Sequence, residues 1–129
     1  MSGIAYLDHA ASTPMRREAV DAMLPYLTEQ YANPSGSHRF ARASRRAVDD
    51  AREVVASVIG CDPGDVVFTS GGTESDNTAI LGAVARRGGA AICPATEHHA
   101  VLAAVERVGG LVLPVTPTGV VDLDALEIG

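Results

Sequence analysis

Apolar residues recur along this chain at a helical spacing in some stretches and nearly continuously in others, and the alternation outlines its elements. "AYLD" (Ala5 to Asp8) is a short apolar opening that reads as extended. In "STPMRREAVDAMLPYLTEQY", Thr13 stands as an N-cap and Pro14 as the first helical residue, ahead of a stripe of Ala19, Val20, Met23, Leu24, Leu27 and Tyr31. Pro25 falls inside that stripe and has no backbone donor, so a kink or two short helices are expected there. The turn-rich "ANPSGSH" (Ala32 to His38) leads into the longest helical pattern, "RFARASRRAVDDAREVVASVIG". Phe40, Ala47, Val48, Ala51, Val54, Val55 and Val58 share one of its faces. Arg45 with Asp49 and Arg46 with Asp50 lie four apart on the other, and Gly60 ends the helix.

Past the "CDPGD" turn the pattern becomes strand, helix, strand, helix, strand. The strands are "VVFTS", "AAIC" and "LVLPV". One helix runs from the Gly71–Gly72 pair to Arg86, Arg87, Gly88 and Gly89; the other, about His99 to Val108, is closed by Gly109 and Gly110. This order predicts an α/β fold whose strands are joined by helical crossovers. "VDLDALEIG" caps a new helix at Asp122 and stops within about two turns, shorter than helices usually run, so the chain is expected to be cut from a longer one.

A chain of 129 residues fits one domain or part of one, and 47% hydrophobic with only 4% aromatic content suits the α/β reading. A net charge of −6 argues against a nucleic-acid partner. No signal peptide is recognised and no apolar run approaches membrane-spanning length, so a cytoplasmic protein without membrane contact is expected. Cys61 and Cys93 lie far apart, and His9, His38 and His98 have no ligand spacing, so neither a disulfide framework nor a metal site is expected. All ten cationic side chains are Arg; there is no Lys.

Two stretches carry candidate chemistry. In "TSGGTES" (Thr69 to Ser75) a strand gives way to a helix through two glycines among four hydroxyls. Bare backbone at a helix N-terminus suits an anion, and Thr69, Ser70, Thr73 and Ser75 offer further donors. The same residues also make an ordinary capped turn. The run is neither a P-loop, for want of Gly-Lys-Ser/Thr, nor a dinucleotide G-x-G-x-x-G. "ATEHHAV" (Ala95 to Val101) sets His98 at the end of the next strand, on the rim where α/β sheets gather ligands. There it can stack on an aromatic ligand or move protons, or simply begin a helix. In "NPSGSH", Asn33 and Ser35 suit either a ligand or a capped turn.

"YLDHAASTP", "NPSGSH", "VVFTSGGTESDN" and "TEHHAV", in this order and at these intervals, resemble the N-terminal part of cysteine desulfurases, pyridoxal-phosphate enzymes of the class V aminotransferase group. The resemblance spans essentially all 129 residues. It implies the N-terminal part of a fold-type I large domain, a three-layer αβα arrangement on a mainly parallel sheet, with roughly residues 1–13 belonging to the small domain. The implied activity converts L-cysteine to L-alanine and leaves an enzyme-bound persulfide for iron–sulfur cluster assembly or thiolation. A homodimer serving sulfur-acceptor or scaffold proteins is implied with it.

By the resemblance, Gly72 and Thr73 hold the pyridoxal 5′-phosphate phosphate, and His98 stacks on its ring and assists proton transfer. Asn33 and His38 belong to a loop near the active site and dimer contact; His9 and His99 receive no role. The family's Schiff-base Lys, pyridinium-pairing Asp and sulfur-carrying Cys fall beyond Gly129, so the chain alone is expected to be inactive and a poor folder, with "VVFTS" unpaired with the two later strands. Two other functions fit the residues: another class V enzyme such as an aminotransferase or selenocysteine lyase, and a non-enzymatic binding or assembly module.

Overall fold

In the computed structural model, which describes Gly3 and residues 5–122, the chain divides into two compact units, one up to Val66 and one from Val67 on. The first holds helices α1 (Arg17–Thr28) and α2 (Arg39–Ile59) and a single 3-10 turn at Pro63–Asp65. The second runs α3 (Gly72–Arg87), β1 (Ile92–Pro94), α4 (His99–Arg107) and β2 (Leu111–Leu113).

The first helix starts later than its sequence suggests. Thr13 does not cap it; Arg16 occupies the N-cap position without a side-chain bond, and Pro14 lies in the irregular segment before it. Glu18 in the first turn and the Arg17–Asp21 pair, at 3.0 Å, favour the later start. Pro25 neither splits the helix nor ends it: α1 passes through it to Thr28, and Pro25 merely deprives the Asp21 carbonyl of its helical donor. None of the side chains of α1 is buried.

Helix α2 opens on His38, whose side chain accepts from the Ala41 N–H, and closes on Gly60 in a left-handed conformation with φ 81°. Its buried residues are small: Ala41, Ser44 and Ala56. Ser44 Oγ donates to the Gln30 carbonyl at 3.1 Å, and the Arg52 guanidinium donates to the Val66 carbonyl. Gly36 packs so tightly here that a Cβ would lie 2.9 Å from Ala41 Cβ. The apolar stripe read from the sequence is therefore not the buried one. Ala47, Val48 and Val55 of that stripe are half-buried, whereas Phe40, Val54 and Val58 are 58%, 65% and 83% exposed. Of the two expected ion pairs, Arg45–Asp49 forms at 3.2 Å, while Arg46 and Asp50 do not come within bonding distance.

In the second unit β1 and β2 form a parallel pair, with Ile92 opposite Leu111, Cys93 opposite Val112 and Pro94 opposite Leu113. Helix α4 crosses between them and packs on both strands, burying Ala100, Ala104 and Val105 with Cys93 and Leu113. Helix α3 lies against α4 through a half-buried face of Asp76, Asn77, Ile80, Leu81 and Val84. The α/β class and parallel pairing expected from the sequence are thus present. Residues 66–70, read as a strand, are extended at Val66 and join neither β1 nor β2; without a neighbouring strand no ladder forms. Val115 and Val121 make one antiparallel bridge around a Thr116–Gly119 turn. The helix expected after Asp122 falls outside the described residues.

Candidate functional site

The diglycine joint becomes the start of α3, with Gly71 as N-cap and Gly72 as the first helical residue. Gly71 has φ 162°, extended backbone that any residue adopts. A Cβ built on either glycine would meet no atom within 4 Å. Neither strain nor packing among the described residues requires a bare backbone here. What the glycines provide is access, at the end of a helix whose first N–H groups have no acceptor within it.

The hydroxyls around the joint divide into two sets. Thr69 Oγ1 and Ser75 Oγ share a hydrogen bond at 2.6 Å, and each also lies 3.2 Å from the Gly71 carbonyl. With one proton each, one donates to its partner and the other to that carbonyl. Ser70 donates both its N–H and its hydroxyl to Glu74 Oε2, each at 2.7 Å. These two short bonds, the hydroxyl's first and the N–H's second, hold the Glu74 carboxyl below its ordinary value. Thr73 is the hydroxyl left without a side-chain partner, and its carbonyl accepts from Asn77 Nδ2 at 2.9 Å. The sequence offered four equivalent donors; the structure uses three internally and leaves the fourth open. Glu74 went unread, although an acid three residues past an N-cap is a known start signal.

His98 follows β1 as the N-cap of α4. Its Nδ1 accepts the Ala100 N–H at 3.1 Å. That bond turns the ring with the helix and, in the neutral form, places the proton on Nε2. The ring is exposed, 6.2 Å from that of His99 and tilted by 55°. His98 and the Gly72–Thr73 turn thus sit at the N-termini of two helices that pack together, with no hydrogen bond between them.

Asn33 and His38, in the first unit, are engaged locally. Asn33 Oδ1 accepts the Ser35 N–H at 2.9 Å and His38 Nδ1 accepts the Ala41 N–H at 3.2 Å. His9 packs edge-on against Tyr6, with ring centroids 5.2 Å apart. Cys61 is exposed and Cys93 buried; burial, then the charges of Glu97 and Glu106, push the Cys93 thiol up. Among the described residues no helix is long and apolar enough to cross a membrane.

The donor set of the α3 turn fits a phosphate: free N–H groups at Gly72 and Thr73, one unpartnered hydroxyl, and open space over two glycines. Comparison with known proteins places the chain among relatives. The family model Aminotransferase class-V matches residues 5–128. A protein of Dictyoglomus turgidum named cysteine desulfurase IscS is 45% identical over 95% of this chain and 33% of its own length. Among solved structures, one described as a NifS-like protein superposes with a TM-score of 0.77 and 31% identity, over 93% of this chain and 35% of the other. Another, described as SspA in complex with cysteine, gives 0.74 and 36% over 87% and 34%. The chain spans about a third of the length of these relatives.

Proposed function

Since the chain belongs to the class V aminotransferase family, we propose that it supplies the phosphate-binding turn and the ring-facing histidine of a pyridoxal-phosphate-dependent cysteine desulfurase. The observation that carries this is the Gly71–Gly72 pair, bare without a structural demand for it, beside an unpartnered Thr73 hydroxyl at a helix N-terminus. Pyridoxal phosphate, when bound, supplies the electron sink for bond breaking at an amino acid's α- and β-carbons.

The chain's residues hold and orient. The Gly72 and Thr73 N–H groups and the Thr73 hydroxyl bind the phosphate oxygens with charge-assisted bonds, helped by the helix dipole. His98, its ring plane set by the Ala100 N–H, offers a face to the pyridine ring and holds a proton at Nε2. L-cysteine is the proposed substrate, in keeping with the cysteine complex of one structural relative. Sulfur-acceptor or scaffold proteins, a homodimer and a cytoplasmic setting belong to the same reading. The chain has no Lys, so its own side chains offer no amine to the cofactor aldehyde.

The test is titration of the 129-residue chain with pyridoxal 5′-phosphate, followed by phosphorus NMR and equilibrium dialysis. The chain is expected to bind saturably, and Thr73→Val to lose about 1.5–3 kcal/mol, the worth of one hydrogen bond to a charged group. No saturable binding, or binding unaffected by Thr73→Val, refutes the assignment.

A further inference from the structure

We propose that Glu74 is the positioning residue of the phosphate turn, a role that rests on the reading of Gly72 and Thr73 as phosphate ligands. Two consecutive glycines lose more conformational freedom on ordering than any other pair. Two side-chain clasps bridge them: Ser70 to Glu74, through two bonds of 2.7 Å on one carboxylate oxygen, and Thr69 to Ser75, at 2.6 Å. Each clasp has one end before the glycines and one after. Together they occupy every hydroxyl of the run except that of Thr73 and fix the turn before a ligand arrives. A turn left open would have to be ordered by the ligand, at the expense of affinity.

Helix capping alone does not explain the choice of residue. A carboxylate at the third helical position stabilises the helix through its charge, but the same charge repels a phosphate at that N-terminus. If the purpose is the clasp, reach and an accepting oxygen matter and the charge does not. Glu74→Gln keeps both. Glu74→Asp keeps the charge and shortens the reach.

The experiment measures pyridoxal 5′-phosphate binding by the full 129-residue chain and its Glu74→Asp and Glu74→Gln variants, with amide exchange of residues 70–73 and helix content by circular dichroism. Glu74→Asp is expected to weaken binding about tenfold, the equivalent of roughly 1.4 kcal/mol, and to speed exchange across the turn. Glu74→Gln is expected to bind at least as well as the parent. If Glu74→Asp loses helix content, Thr69→Val opens the second clasp without altering charge and must weaken binding by the same order. Parent-like binding by Glu74→Asp, with Glu74→Gln impaired, assigns Glu74 to charge alone and overturns the proposal while leaving the phosphate site intact. Failure of the parent chain to bind overturns both readings.

Discussion

Gly110 sits where α4 hands the chain to β2, and replacing it with Ala should open the sheet. A Cβ there would lie 2.4 Å from the Ala91 carbonyl oxygen, 2.7 Å from Val105 Cγ1 and 3.0 Å from the Val105 carbonyl. Two of these are backbone atoms that cannot swing aside. The Ala91 oxygen also accepts the Leu111 N–H at 2.9 Å, and the Val105 oxygen accepts the Gly110 N–H at 2.9 Å. Relieving the clash means moving acceptors that tie β2 to the rest. Overpacking typically costs about 1–3 kcal/mol and a weakened hydrogen bond about 1 more, so the loss is roughly 2–4 kcal/mol. Cys93 reports it directly, because it is buried on β1 opposite Val112 and reacts with a thiol reagent only when the pair opens. In a Cys61→Ser background the labelling rate of Cys93 should rise about thirtyfold to a thousandfold in Gly110→Ala, at 1.4 kcal/mol per tenfold. Gly82 is the control: it lies within α3 with nothing within 4 Å of a Cβ, so Gly82→Ala should stabilise by about 0.5–1 kcal/mol. A labelling rate for Gly110→Ala within about twofold of the parent's, under 0.5 kcal/mol on the same scale, would show that this packing is wrong.

Other outcomes follow from single features. Gly60→Ala forces an alanine to φ 81° at the end of α2 and should lower stability by about 1–2 kcal/mol in chemical denaturation, with Gly60→Asn milder. The Ser70–Glu74 clasp should be strongest above the ordinary carboxylate range and weaken, without opening, as pH falls through the depressed Glu74 value, since protonation exchanges charge-assisted bonds for neutral ones. The Ser70 amide resonance, followed through an acid titration, should therefore move below the usual glutamate range; a midpoint above it contradicts the clasp. The purified chain should release no sulfide from L-cysteine at enzymatic rates, because it has no lysine.

The parts of the fold legible in the sequence are those settled by local signals. Gly60 announced the end of α2, the arginines and glycines at 86–89 the end of α3, and the paired glycines at 109–110 the end of α4. Burial was less legible. Phe40, Val54 and Val58 form a helical stripe that predicts a covered face, yet Ala41, Ser44 and Ala56 are the buried residues, because small side chains allow close approach. The run at 66–70 has strand composition but lies outside the β1–β2 sheet, and a strand is a property of a pair. At the site, the family resemblance singled out Gly72, Thr73 and His98, and the geometry makes each of them a helix-start residue. Nothing in the residue order separated Thr73 from its three neighbouring hydroxyls. That distinction depends on which oxygens face each other across the glycines, and spacing alone does not reveal it.

The parallel pair has a kinetic consequence. Ile92 and Leu111 are joined by a single helix that itself packs on both strands, so the sheet closes over a short stretch of chain. Contacts at such small sequence separation lose little entropy on closure and tend to form early. In a refolding experiment, protection at Cys93 and Val112 should appear in the same phase as protection at Ala104. The β1–α4–β2 segment is then the nucleus to which α3 adds.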